Sequence, residues 1–386
     1  VFRKARSLVP AVVLGLVVAC GSGAAPASAP GATSPGATSA AAASAGVGYD
    51  VAKAKDQAKT FVTYGIPNDW ANYGQQFTQF CMAKFGFDCN RPERSQGDSL
   101  KSGELLQKWD AEKNNPVSVL ADATMLFVGP AEKIGALSHW LPQNASLLPD
   151  GYKGRNGGWI ATYSGVPSIV ANVDFLKSKG LPVPASFADL LNPGYAKMIG
   201  LSKVGTSGVS TSEFVAMNLA AGGTLEDYTK GIAFARKLLP NLTSQANIDT
   251  FEKGEVPISL QLDLTATALV TNEKARGVNA QVAIPSDGSI WLPSALLMNG
   301  YETAHTDFAK MFTEWVLTDE GQLLFARFGA RPIRSVVGTN LMTVPESAKS
   351  LWLPESLYQN VKTVDISQID VVKLGEIWEN EVLAGG

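Results

Sequence analysis

Between Gly21 and Gly48 the chain carries no charged residue and, apart from Val47, no large side chain. Such a stretch cannot bury enough apolar surface to offset the entropy of ordering it, so it is expected to stay unfolded. Whatever folds must do so outside it. The segment before it is short: Arg3, Lys4 and Arg6, then an apolar run from Leu8 to Ala19. That run falls short of the ~20 residues that a bilayer core requires. A basic start followed by a short apolar run has the form of an export signal. Residues 1–19 are therefore expected to be a signal peptide, and 20–48 a linker. As a flexible coil the linker spans roughly 30 Å, about the width of a small domain.

Val17-Val18-Ala19-Cys20 resembles the bacterial lipobox, in which the cysteine is lipidated. The resemblance implies a body tethered through Cys20 to the outer face of the cell membrane, in the periplasm if an outer membrane is present. That body begins at Tyr49. The whole chain has a net charge of −3, and removing the three signal cations makes the body more acidic. An acidic body without basic runs argues against nucleic acid as a partner. No later apolar segment reaches membrane-spanning length. After Cys20 only Cys81 and Cys89 remain. In an oxidising compartment a disulfide between them is expected, closing a helix-to-strand corner.

Along the body, extended and helical patterns alternate. Thr60–Tyr64 reads as a strand, and Gly65-Ile66-Pro67-Asn68-Asp69 as a turn whose Asn68 or Asp69 caps a helix to about Lys84. Tyr73, Phe77 and Phe80 fall on one face of that helix. A helix over roughly Leu100–Asn114 buries Leu105, Leu106 and Trp109, and a largely apolar run, Val117–Val128, is interrupted by Asp122. Gly158–Val173 reads as extended, Ser210–Ala221 and Leu225–Leu239 as helices, Val256–Leu262 as a strand and Asp263–Glu273 as a helix. His305–Val316 is an amphipathic helix. The alternation predicts α/β layers with largely parallel pairing.

Several stretches together resemble the extracytoplasmic solute-binding proteins of ABC importers. They are TFVTYGIPNDWANYGQQF, KWDAEKNNPVSVLADATMLFVGPA, GWIATYSGVPSIVANVDFLKSKGLPVPASFADLLNPGYAKMIGL and AHTDFAKMFTEWVLTDEGQLLFARFGARPIRS. The similarity is to the two-lobed branch that includes ferric-iron, polyamine, phosphonate and sugar-phosphate binders. It implies an α/β, type II-like periplasmic-binding-protein fold: two lobes, each a mixed sheet flanked by helices, with the ligand in the cleft between them. It implies that 49–163 plus 292–386 form lobe one and 164–291 lobe two. The crossings are expected near Tyr163–Ala171 and Ala283–Leu292.

In Ser202–Phe214, Gly205 and Gly208 let backbone approach a ligand. Thr206, Ser207 and Ser210 offer hydroxyls just before a helix whose positive end stabilises an anion; ordinary helix capping accounts for the same residues. The family's corresponding lobe-one turn implies contacts from Ser95 and Gln96, while Asp98 either attracts an amine or caps a helix. Asn68, Asp69 and Trp70 occupy the first strand-to-helix turn, where an open α/β sheet presents its ligand edge. Tyr163 and Ser164 stand at the first crossing. Asp263 either binds a cationic group or caps the helix starting at Leu264. Trp291 either stacks on ligand or braces the second crossing.

No Tyr-Tyr pair and no His/Cys/carboxylate cluster is present, so neither a metal site nor a cofactor is expected, and ferric iron stands only as an alternative ligand. Gly205-Thr206-Ser207-Gly208 approaches a nucleophile elbow but places its last glycine one residue early. The two histidines, His139 and His305, show no triad pattern. A secreted lipoprotein hydrolase is thus the weaker class. The expectation is a non-enzymatic, monomeric, lipid-anchored protein that passes a small polar solute to ABC permease subunits. An anionic solute such as a phosphonate or sugar phosphate comes first, and a cationic amine at Asp263 and Asp98 is the alternative.

Overall fold

Phe61, Phe77, Phe80, Phe308 and Phe312 come from widely separated stretches of chain and meet in one buried aromatic cluster. The computed structural model describes residues 48–97, 100–243, 248–336 and 341–385. Cys20, the signal segment 1–19, nearly all of the linker 20–48 and Asp98 lie outside the described residues.

In the first part of the body, α1 (Val51–Gln57), α2 (Tyr73–Phe85), α3 (Ser102–Ala111) and α4 (Val128–Lys133) alternate with β1 (Thr63–Tyr64), β2 (Ser95–Gln96), β3 (Leu120–Thr124) and β4 (Trp159–Gly165). The middle supplies strands β5 (Pro167–Asn172), β6 (Ile199–Gly200), β7 (Leu242–Thr243), β8 (Ile258–Leu262) and β9 (Ala280–Ala283). With them come helices α5 (Val173–Ser178), α6 (Gly208–Ala220), α7 (Thr229–Leu238), α8 (Ile248–Glu252) and α9 (Asp263–Ala275). Then follow β10 (Ser289–Ile290), β11 (Leu292–Met298), α10 (Thr306–Val316), α11 (Asp319–Arg327), β12 (Arg331–Pro332), β13 (Val361–Lys362) and α12 (Val371–Ile377). The strands make a six-stranded sheet, β12-β4-β11-β3-β1-β2, a five-stranded sheet, β7-β6-β8-β5-β9, and the short pair β10-β13. This is the expected α/β architecture of two mixed sheets flanked by helices.

The aromatic spacing in α2 explains its docking. Tyr73, Phe77 and Phe80 recur every three or four residues and are wholly buried. Phe77 stacks on Phe312 of α10 at 4.1 Å, and Phe61 on Phe308 at 3.9 Å. The helix stops at Gly86, whose left-handed backbone (φ 80°) turns its N–H onto the carbonyls of Cys81 and Met82. A disulfide then joins Cys81 to Cys89 and closes the corner before β2.

Two expectations need correction. Strand pairing is not largely parallel: β1 pairs in parallel with β2 and β3, and β6 with β7 and β8. By contrast β11 runs antiparallel to β3 and β4, β12 to β4, and β5 to β8 and β9. Parallel neighbours need a long crossover connection, whereas β4 passes directly into β5 of the other sheet. Next, α2 begins at Tyr73, so neither Asn68 nor Asp69 caps it. The Asn68 side chain accepts from Arg94 Nη2 at 2.5 Å, and its carbonyl accepts from the Gly74 N–H at 3.1 Å. The last helical segment of the chain packs on α6 and α7. Trp378 meets Phe214 edge-on at 5.4 Å, and Arg236 Nε donates to the Glu381 carbonyl at 2.8 Å.

Because Phe77 links α2 to α10, truncating it to alanine should remove about 4 kcal/mol of unfolding free energy. Urea denaturation measures this; a loss below about 1 kcal/mol would be at odds with the cluster holding the first sheet's helices together.

Candidate ligand-binding cleft

The chain leaves the first sheet at Gly165 and enters the second at Pro167, with only Val166 between. Asp263, at the start of α9, is 2% exposed and holds this crossing. Its Oδ1 accepts from the N–H groups of Val166 and Leu264, both at 2.9 Å, and its Oδ2 accepts from the Tyr358 hydroxyl at 2.6 Å. Burial pushes the Asp263 carboxyl up from its ordinary range, and burial likewise pushes up the Tyr358 hydroxyl. Gly165 makes room here, since a Cβ would stand 2.6 Å from Leu264 Cδ2 and oblige that side chain to shift. The return crossing is tied in as well: Ser289 Oγ donates to the Pro167 carbonyl at 2.8 Å, and the Trp291 N–H to the Lys362 carbonyl at 2.9 Å.

Strand ends and helix starts of both sheets converge on a cavity of about 620 Å³. From the first sheet come Asp69 and Trp70 after β1, Lys101 and Ser102 at the start of α3, and Asp122 and Thr124 of β3. The second contributes Ser207 and Gly208 at the start of α6, and Thr265 in the first turn of α9. The two sides touch. The Gly103 N–H donates to the Thr206 carbonyl at 3.0 Å, and a Cβ on Gly208 would lie 2.0 Å from Thr124 Oγ1. Gly208 is therefore required for this approach.

The chemistry of the lining is specific. Ser207 caps α6, its Oγ accepting from the Ser210 N–H at 3.3 Å. The amides of the first helical turn have no acceptor within the helix and carry the positive end of its dipole. The Thr124 and Thr265 hydroxyls, on residues 7% and 5% exposed, have no hydrogen-bond partner among the described residues. Leaving a buried hydroxyl unsatisfied costs about 1–3 kcal/mol, and both residues border the cavity. Asp122 sits at its floor, accepting from the hydroxyls of Tyr73 at 2.9 Å and Tyr163 at 3.1 Å. Burial raises its pKa to about 7, against the opposing pull of those donors. Glu252 at the rim is paired with Arg276 at 3.4 Å.

The residues singled out from sequence separate into two groups. Asp69, Trp70, Ser207 and Gly208 border the cavity. Tyr163 stands behind it, wholly buried, accepting from Trp70 Nε1 at 2.8 Å and donating to Asp122. The remaining residues do not border it. Asn68 is engaged with Arg94, and Ser95 Oγ donates to the Ile66 carbonyl at 2.9 Å. Gln96 is exposed on edge strand β2, and Ser164 is buried within β4. The Thr206 carbonyl is taken by Gly103, Asp263 is spent on the crossing, and Trp291 stacks on Tyr358 at 5.5 Å. Asp263 both lies at a helix start, as expected, and is closed to a ligand by three internal donors. Asp122, Thr124, Thr265 and Lys101 were missed. Only Asp122 left a signal, as a carboxylate breaking an apolar run, which is costly unless partnered.

Among the described residues no group of three or more His, Cys, Asp or Glu side chains is placed to hold a metal ion. His305 contacts Glu302 and Thr60 at the start of α10 and does not border the cavity. No helix among the described residues is long and apolar enough to cross a membrane.

The raised Asp122 pKa has a signed consequence. Its carboxyl is 3.8 when unfolded and about 7 when folded, so the folded state holds the proton more tightly. The contribution of this group to stability is fully present below pH ~4 and is lost as pH rises through about 7, on the order of 4 kcal/mol. Asp122→Asn should show a shallower decline, so that it gains on the wild type between pH 4.5 and 7.5 in urea unfolding; parallel profiles would contradict a buried, proton-holding Asp122.

A family model described as bacterial extracellular solute-binding protein matches residues 127–357. An uncharacterised protein of Haemophilus influenzae is 24% identical over 238 residues, covering 58% of this chain and 65% of that protein. The chain thus spans just under two thirds of that curated relative. Among solved structures, the periplasmic binding protein AfuA from Actinobacillus pleuropneumoniae, with fructose-6-phosphate bound, superposes with a TM-score of 0.65 at 18% identity. That match covers 84% of this chain and 98% of the other. Iron-bound HitA from Pseudomonas aeruginosa gives 0.61 at 18% identity, over 84% and 99%. Likenesses at this level of identity speak for the fold.

Proposed function

We propose that this chain, which belongs to the family of bacterial extracellular solute-binding proteins, captures a small hydroxylated anion in the cleft and delivers it to the permease of an ABC importer. The observation that carries the reading is one juxtaposition. The unpartnered Thr124 hydroxyl of the first sheet lies against Gly208 at the first turn of α6 from the second, with the unpartnered Thr265 hydroxyl on the same cavity. Helix-start amides and hydroxyl donors stabilise an oxyanion without a formal positive charge. A cavity of about 620 Å³ suits a solute of sugar-phosphate size rather than a lone ion. Asp69 and Asp122 then accept hydrogen bonds from the hydroxyls of the solute. Fructose-6-phosphate in the AfuA structure fits the same chemistry.

Each sheet serves as the core of one lobe, with 371–383 belonging to the second. Opening about the Val166 crossing and its return partner admits solute, and closing brings Thr124 onto Gly208. The signal peptide at 1–19, lipidation at Cys20 and the leash to residue 48 complete the reading of an anchored capture protein. No chemistry is assigned to it.

A second reading is a cationic amine. It is favoured by the carboxylates of Asp69 and Asp122, which border the cavity together with Lys101. The substitution Asp122→Asn separates the two: it should weaken an amine several-fold and leave an anion unchanged or tighter. Calorimetric titration with a hexose phosphate and with putrescine reads the difference.

Replacing Thr124 and Thr265 together with valine should cost about 100-fold or more in affinity for hexose phosphate, since each charge-assisted hydrogen bond contributes ~1.5–3 kcal/mol. Thermal stability of the ligand-free double variant should hold or rise, because neither hydroxyl has an internal partner to lose. Wild-type affinity in that variant would remove the proposed anion contacts.

A further inference from the structure

We propose that Arg331 anchors a second oxyanion site, on a separate cavity of about 210 Å³ beside the crossing between the sheets. Arg331 lies in β12, paired opposite Ser164, and is 5% exposed. Its guanidinium carbon is 3.8 Å from the Trp352 ring centre and 4.7 Å from that of Tyr358. With aromatic rings packed over it, the planar group has its hydrogen bonds left to make in plane. Nη1 donates to Glu355 at 2.7 Å, a side chain 73% exposed. Nε and Nη2 are buried and make no well-formed hydrogen bond among the described residues, although the guanidinium lies close enough to the Tyr358 hydroxyl to oppose the rise in its pKa.

Those two nitrogens share one edge of the guanidinium. Their N–H groups run parallel and match two oxygens of a carboxylate or phosphate, the bidentate geometry for which arginine is suited. Arg331 itself lines the cavity, together with Thr343, Lys349 and Trp291. Lys349 adds a second positive charge, its own partner being the exposed Glu346 at 2.7 Å. An arginine serving only to brace Tyr358 against Asp263 would leave the Nε/Nη2 edge orphaned, and a buried charged donor without an acceptor is costly. An oxyanion of a few heavy atoms, either free phosphate or the carboxylate of a small acid, satisfies that edge. The inference does not rest on the cleft reading, since none of these residues borders the larger cavity.

The test is calorimetric titration of the full chain with inorganic phosphate and, separately, with acetate. Wild type should bind at least one of them at a site that Arg331→Lys weakens by about tenfold or more, because lysine keeps the charge and loses the fork. Glu355→Gln changes an exposed residue and removes the competing negative charge, so it should tighten the same probe several-fold. This second variant keeps the proposal testable if lysine at the buried position disturbs folding. Phosphate binding alone assigns a tetrahedral oxyanion, and acetate binding alone a carboxylate. Arg331→Lys with wild-type affinity and stoichiometry for both probes, or Glu355→Gln with unchanged or weaker binding, overturns the site.

Discussion

The buried carboxylate of Asp263 is the knot on which the two-sheet arrangement depends. Three donors converge on it: the Val166 amide at the crossing, the Leu264 amide at the start of α9, and the hydroxyl of Tyr358 from far along the chain. A carboxylate this deep is costly unless its lone pairs are occupied, and here sequence-distant groups occupy them. The arrangement ties the outgoing strand to the helix it must pass. It also ties both to the segment that returns beside β10. Gly165 is the steric counterpart, since a side chain there would collide with Leu264. A crossing defined this narrowly fixes the geometry of the connection between the two sheets.

From that crossing follows the character of the cleft. Strand ends and helix starts face one another across it, so its polarity comes from oriented amides and hydroxyls more than from net charge. Glu252 is paired with Arg276, burial raises the Asp122 pKa to about 7, and Lys101 borders the same cavity as Asp69. Fixed dipoles in a partly dry cavity act more strongly than the same groups in water. On the proposed reading, preorganised donors of this kind suit reversible capture of an anion without a buried arginine clamp. The molecule does bury an arginine, Arg331, but beside the crossing and away from this cavity.

Much of the fold was legible in sequence because it rests on local periodicity. Tyr73, Phe77 and Phe80 announced the buried face of α2, and Leu105, Leu106 and Trp109 that of α3. The resemblance supplied the two-sheet plan. Strand direction was not legible, since whether a strand crosses sheets directly depends on its partners and not on its own residues. The cleft was half legible. Ser207 and Gly208 stand in a recognisable Gly/Ser/Thr turn before a helix, and Asp69 and Trp70 follow the first strand. Thr124 and Thr265 carry no mark in sequence: a threonine at a strand end or in a first helical turn is ordinary, and only tertiary placement strips it of partners. Asp263 shows the converse, a carboxylate in a suggestive place that folding consumes internally.

The central claim is that the cleft selects an oxyanion through Thr124, Thr265 and the start of α6. Native mass spectrometry of the protein after incubation with an equimolar mixture of hexose phosphate, putrescine and spermidine tests it most directly. The account predicts a single adduct of hexose-phosphate mass that is lost on denaturation and absent when both threonines are valine. An adduct of either amine, or a phosphate adduct that persists in the valine variant, would contradict it.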